Sequence, residues 1–201
     1  SGFDLWRIAA RLRLPPRTVA RAFCKASIGA VSRLPVLRLA PVREEGNNCP
    51  FLTDSHCAIH DAEPLVCALY PLAQEITKEG RVSYFLQPTS CGGQVISAKV
   101  EDYLARYDVP AREATDVRWA QVCMALEDRV EALEAVFEPV FVRRLQQKLW
   151  QALYYRYDFA APFLPQFEEN LRGLDAELEK LSALQGRRNV RFRRSIEKTD
   201  K

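Results

Sequence analysis

The sequence predicts a mainly α-helical chain with a small antiparallel β hairpin or sheet. This is an α+β fold in which irregular cysteine-rich loops join a C-terminal helical hairpin. Three observations carry the prediction. Apolar residues recur at spacings of three and four in the second half, as in Trp119, Val122, Cys123, Leu126, Val130 and Leu133. Glycine is scarce, at 8 of 201 residues, against a usual ~7%, which disfavours a sheet-rich fold with a glycine at every tight turn. Residues 44–71 are polar and rich in cysteine, with no clear helical or strand period.

The elements follow in order. Leu5, Ile8 and Leu12 predict a helix from Phe3, which Pro15-Pro16 ends while opening the next at Pro16. Val19, Phe23 and Ala26 predict that the second helix runs to about Ile28. Pro35 and Pro41 interrupt short apolar runs, which suits an edge strand over Val36 to Leu39. Leu72 to Thr77 and Arg81 to Gln87 flank Lys78-Glu79-Gly80, a hairpin signal in which glycine can take positive φ. Ser97 can cap a helix carrying Val100, Tyr103, Leu104 and Tyr107, which stops before Pro110. The long stripe from Trp119 to Phe137 predicts a helix that Pro139 kinks or restarts, continuing through Leu145, Leu149 and Leu153 to about Tyr157. Pro162 and Pro165 break the chain again, and Leu171, Leu174, Leu178 and Leu181 mark a last helix ending at Gly186. The expected organisation is a cysteine-cluster domain over 1–110, a helical hairpin over 111–186 packed on it, and a basic disordered tail over 187–201.

With 48% hydrophobic and 27% charged residues, the chain can bury one substantial core and reads as soluble. Its longest uncharged run, Val82 to Ala98, contains Gln87, Pro88, Thr89, Ser90 and two glycines, so no transmembrane span is expected. The opening residues Ser1-Gly2-Phe3-Asp4 hold neither an initiator methionine nor a signal peptide, so the chain reads as a fragment or a processed form. The expected compartment is the cytoplasm. The formal net charge is +3, but Arg187, Arg188, Arg191, Arg193 and Arg194 supply five positive charges near the C-terminus, and without them the net charge is −2. Nucleic-acid binding is therefore not expected apart from this tail, where guanidiniums and Phe192 could meet phosphates and bases.

The cysteines hold the chemistry. Cys49, Cys57, Cys67 and Cys91 are spaced C-x7-C-x9-C-x23-C in the least periodic region. Loops free of a ladder can wrap a point, as thiolates converging on one soft cation require. Two disulfides in an exported protein are the competing reading of the same spacing. Cys24 and Cys123 fall in predicted helices and are expected in apolar surroundings, outside any such site. His56 and His60 flank Cys57; His56 is expected to be exposed, and His60 to bond a neighbour more readily than a metal.

The stretch Cys49-Pro50-Phe51-Leu52, Cys57-Ala58-Ile59-His60, Glu63-Pro64, Cys67-Ala68-Leu69-Tyr70-Pro71, followed by Cys91-Gly92, resembles the YkgJ-like cysteine-cluster proteins, a zinc- or iron-chelating family. The opening Gly2 to Ala9 resembles the helix after that family's first cysteines, and Tyr157-Asp158 with Pro162-Phe163-Leu164 resembles a later segment. The resemblance implies metal ligation by Cys49, Cys57, Cys67 and Cys91, with zinc, iron or an iron–sulfur cluster as cofactor. It also implies further ligands upstream of residue 1, because the family's first cysteine cluster would lie there. Glu63 and Ala68 stand where the family has arginines, and His60 where it commonly has tyrosine.

The flagellin lysine-N-methylase group shares this cluster, so a protein lysine methyltransferase is the enzyme alternative. The glycines at 2, 29, 46, 80, 92, 93, 173 and 186 never give the G-x-G turn of a conventional S-adenosylmethionine site, and no C-x3-C-x2-C radical motif occurs. His60-Asp61 is a lone dyad, weak support for nucleophilic catalysis. A third reading is a non-enzymatic interaction module with structural cysteines and an unidentified protein partner. Thiolates serve zinc and iron alike; four around one divalent ion close its coordination, so a mononuclear site would be structural.

Overall fold

A computed structural model describes residues 1–42, 46, 48–88 and 99–199 of the chain. Helix α1, Gly2–Leu12, opens on a capping box: the Asp4 amide donates to Ser1 Oγ at 3.1 Å, and the Ser1 amino group donates to Asp4 Oδ2 at 2.9 Å. Its Leu5, Ile8 and Ala9 are buried. Pro16 sits in the first turn of α2, Pro16–Phe23, where its missing N–H costs nothing.

The second helix is shorter than its periodicity predicts. Cys24 turns to extended backbone, and β1, Cys24–Ile28, pairs antiparallel with β2, Pro35–Leu39, in the register Cys24 to Leu39 and Ile28 to Pro35. An isolated helix of this length is marginal in water, so pairing of five residues with a partner strand overrides the local period. Ala26, expected to face inward, is exposed on this strand. The expected edge strand over Val36 to Leu39 is present as β2.

Residues 49–71 are less irregular than their composition suggests. They hold a two-residue ladder of β3, Leu52–Thr53, with β4, His56–Cys57, then a 3-10 turn over His60–Ala62 and the short helix α3, Leu65–Leu69. Strands β5, Leu72–Ile76, and β6, Val82–Leu86, form the predicted hairpin, with Gly80 at φ +81°. Each sheet among the described residues is two-stranded and antiparallel.

Helix α4, Val100–Arg106, begins after Lys99; Ser97, the expected cap, lies outside the described residues. Pro110 sits in the first turn of α5, Val109–Glu134, and Pro139 starts α6, Pro139–Trp150, as a restart rather than a kink. A π-helical turn, Gln151–Tyr155, extends α6. Helix α7 begins at Phe163 and runs to Thr199, past the stop predicted at Gly186, so the backbone of the arginine-rich segment continues the helix. The chain is mainly helical with small antiparallel hairpins, as its sequence predicts.

One apolar cluster joins α1, α2, α5, α6 and α7, with Val19, Val130, Leu149, Leu153, Phe167 and Leu178 fully buried. Phe51 and Ile59 bring the cysteine-bearing loop into that cluster. A second, smaller cluster gathers Leu69 of α3, Leu104 of α4 and Val109 of α5, with Leu72 and Tyr84 of the hairpin against it. The cysteine-bearing segment therefore bridges two cores. No described helix is long and apolar enough to cross a membrane.

Candidate metal centre

The loop carrying Cys49, Cys57 and Cys67 is fixed from below by α1. Asp4 Oδ1 accepts the Leu65 amide at 3.0 Å, so a carboxylate from a distant helix satisfies an open N–H at the start of α3. Arg7 donates to the carbonyls of Asp61 and Glu63 at 2.9 and 3.2 Å, and Arg11 Nε donates to Asp61 Oδ1 at 2.9 Å. From the other side, Phe51 packs on Phe23 with ring centroids 4.7 Å apart. These contacts hold both arms of the loop.

Beneath Asp4 lies an ion network that the sequence did not announce. Arg112 on α5 donates to Asp4 Oδ1 at 2.6 Å and to both oxygens of Asp116 at 2.6 and 2.9 Å. Arg112 and Asp116 are each 5% exposed. The Arg112 guanidinium also lies 5.3 Å from the Phe3 ring centroid, and its Nη1 has no hydrogen-bond partner among the described residues. Burial alone would raise the Asp4 carboxyl, but the Ser1 ammonium and the Arg112 guanidinium outweigh it and hold the group well below the usual carboxylate range. Asp116 shifts the other way, raised chiefly by burial despite Arg112. In the sequence, Arg112 and Asp116 at i and i+4 look like an ordinary solvated pair, and only burial distinguishes them.

Each predicted ligand has a definite place. Cys49 is exposed and follows an isolated bridge between Val42 and Asn48; its carbonyl accepts the Leu52 amide at 3.0 Å. Cys57 is half-buried on β4 opposite Leu52, after a turn whose Asp54 and Ser55 both take positive φ, 48° and 64°. Cys67 lies on α3, not in irregular loop, and keeps solvent access. Cys91 lies outside the described residues. Partial burial pushes the Cys67 thiol up to about 11, reinforced by the charges of Glu63, Cys49, Cys57 and Asp4. Among the described residues, however, no three His, Cys, Asp or Glu side chains are grouped closely enough to hold a metal ion.

Thiols are the donor type that soft cations prefer. The negative charges of Glu63 and Asp4 and of neighbouring thiolates oppose ionisation of Cys67, and a thiophilic divalent ion would favour it. Among the described residues these donors form no coordination shell. Histidine stands apart. His56 is exposed and its Nδ1 meets the Asp54 carbonyl at 2.7 Å; His60 Nδ1 lies 3.3 Å from Glu63 Oε1, with its ring edge-on to Tyr107. Asp61 bonds Arg11 and not His60, so the His60-Asp61 pair is no catalytic dyad. Cys24 is half-buried on β1, not in a helix, with its thiol pushed up to about 11 by burial. Cys123 is half-buried against the main core, and burial pushes its thiol up to about 12.

Comparison with family models, curated proteins and solved structures finds no match to this chain.

Proposed function

We propose that this chain is a metal-binding protein of the cysteine-cluster type, in which Cys49, Cys57 and Cys67, joined by Cys91, chelate zinc or iron. The observation that carries the reading is that one short stretch, held on α1 through Asp4, Arg7 and Arg11, bears the three free thiols of Cys49, Cys57 and Cys67. The pattern of residues 49–92, similar to the YkgJ-like proteins, supports the same reading. When bound, the metal supplies a cross-link between β4, α3 and the segment bearing Cys91, and metal affinity becomes folding stability. The chain's own contribution is positional. Asp4, Arg7 and Arg11 hold α3 and the 3-10 turn on α1, so this part of the loop is already fixed before a metal binds. The cytoplasm is the compartment we assign, and the free thiols of the five described cysteines accord with a reducing environment.

Cys67→Ser tests the proposal. The wild-type chain, purified without oxygen, is expected to hold zinc or iron in fixed stoichiometry. The variant is expected to lose the metal and melt at lower temperature. Unchanged metal content together with an unchanged Tm would refute a structural metal site at Cys67.

A further inference from the structure

The net charge hides a strong segregation. Between Asp4 and Glu44 the sequence holds nine lysines and arginines and no carboxylate; between Glu138 and Asp158 it holds four and none. The fold brings these two stretches together. Helix α2 packs on β1 and on the π-helical turn, and β2 packs on α6. Arg7, Arg11 and Arg33 are engaged at Glu63, Asp61 and Glu134, but Arg13, Arg17, Arg21, Lys25 and Arg38 form no salt bridge among the described residues.

Two local features go beyond a solvated basic face. Lys25 and Arg38 stand directly opposite each other in the β1–β2 ladder, both exposed. Like charges directly opposite each other are mildly destabilising, and an anion lying across the pair would relieve that cost. Beside Lys25, a cleft of about 360 Å³ opens between β1, α2 and the end of α6, and Arg17, Ser27, Gln147, Trp150, Gln151 and Tyr155 line it. Trp150 and Tyr155 are stacked at 5.5 Å with their planes 9° apart, and the Arg17 guanidinium lies 5.5 Å from the Tyr155 ring centroid. The cleft thus combines aromatic surface, a cation and three side chains that can bond the edge of a base, with no carboxylate in its lining.

From this we infer that the face formed by α2, β1 and the end of α6 binds single-stranded nucleic acid, with phosphates at Arg17, Lys25 and Arg38 and a base in the cleft beside Trp150 and Tyr155. Aromatic surface with a basic groove is how single strands are held without sequence preference. A duplex keeps its bases stacked away from such a recess. An anionic membrane offers phosphates but nothing planar for the recess or for its glutamines.

The test uses the full chain and a fluorescein-labelled oligouridylate of about 12 nucleotides, within the usual single-strand site size. Binding is read by anisotropy beside an RNA duplex of equal length and phosphatidylcholine–phosphatidylserine vesicles. The single strand is expected to bind best. Lys25→Glu is expected to weaken binding about 5- to 10-fold and to lower the salt slope by roughly 0.7 for each phosphate no longer held. The same variant turns the like-charge pair into an opposite-charge pair, so its Tm should hold or rise, which separates weakened binding from a damaged fold. Arg17→Glu provides a second variant on the cleft itself. Replacing Arg187, Arg188, Arg191, Arg193 and Arg194 with serine should leave the effects of Lys25→Glu and Arg17→Glu in place. Overturning results are unchanged affinity in both variants, binding abolished only with removal of the C-terminal arginines, equal affinity for duplex, or binding to vesicles without binding to the oligonucleotide.

Discussion

Replacing Arg112 with methionine, similar in length and apolar, should expose how the cysteine loop is held. The guanidinium sits between Asp4 and Asp116, donating at 2.6 to 2.9 Å, and is 5% exposed. Removing one partner of a buried ionic group typically costs about 3–5 kcal/mol, because the remaining charge is left without compensation. For a chain of this size, each kcal/mol shifts Tm by roughly 2–4 °C, so a fall of about 6–20 °C is expected. The loss should depend on pH with a definite sign. In the wild type, Asp4 is held below its ordinary value, so its contribution is present above about pH 4 and fades as pH falls through the carboxylate range. In the variant, Asp116 loses its counter-ion while staying enclosed, and Asp4 keeps the Ser1 amino group but loses Arg112, so the folded-state values of both carboxyls rise. The folded chain then binds more protons than the unfolded one, so the deficit is greatest at neutral pH and shrinks toward about pH 4.5. Thermal and urea unfolding at the two pH values measures both effects. A deficit below about 1 kcal/mol, or one equal at both pH values, would refute the reasoning.

Two further outcomes follow from local geometry. Cys67 in the metal-free protein should react with iodoacetamide along a pH curve centred near its raised value of about 11, and bound metal should protect it; because its folded value exceeds that of a free thiol, stability from this group should decline as pH rises above about 8.5. Gly80→Ala should lower stability by about 1–2 kcal/mol in urea unfolding, because φ is +81° and an added Cβ would stand 3.2 Å from Gln121 and Val117; a neutral result would mean that the β5–β6 turn relaxes freely.

The helices were legible because their signals are local. Pro16, Pro110 and Pro139 each fall in the first turn of a helix, and the stripe of Val122, Leu126, Val130 and Leu133 is buried as its period predicts. The β5–β6 hairpin was legible for the same reason, through Gly80. What escaped was set by partners distant in sequence. Residues 24–28 carry an ambiguous period, and β2 decides for strand. The helical backbone of 187–199 continues α7 past Gly186, where a glycine would ordinarily stop it. At the candidate centre, the spacing of Cys49, Cys57, Cys67 and Cys91 pointed to one site, but among the described residues no three such side chains are grouped closely enough to hold a metal ion. The residues that position the loop, Asp4, Arg7 and Arg112, carry no sequence signal, since ionic side chains on amphipathic helices ordinarily face water. The segregation of charge between 5 and 43 was visible in the sequence but was masked by averaging over the whole chain.

The central claim is that thiolates of this loop bind a metal, and X-ray absorption at the metal K-edge tests it most directly. Protein purified without oxygen is expected to show three or four sulfur scatterers at about 2.3 Å, fewer by one in Cys67→Ser if metal is retained at all. A shell of nitrogen and oxygen alone, or the absence of stoichiometric zinc or iron, would contradict it.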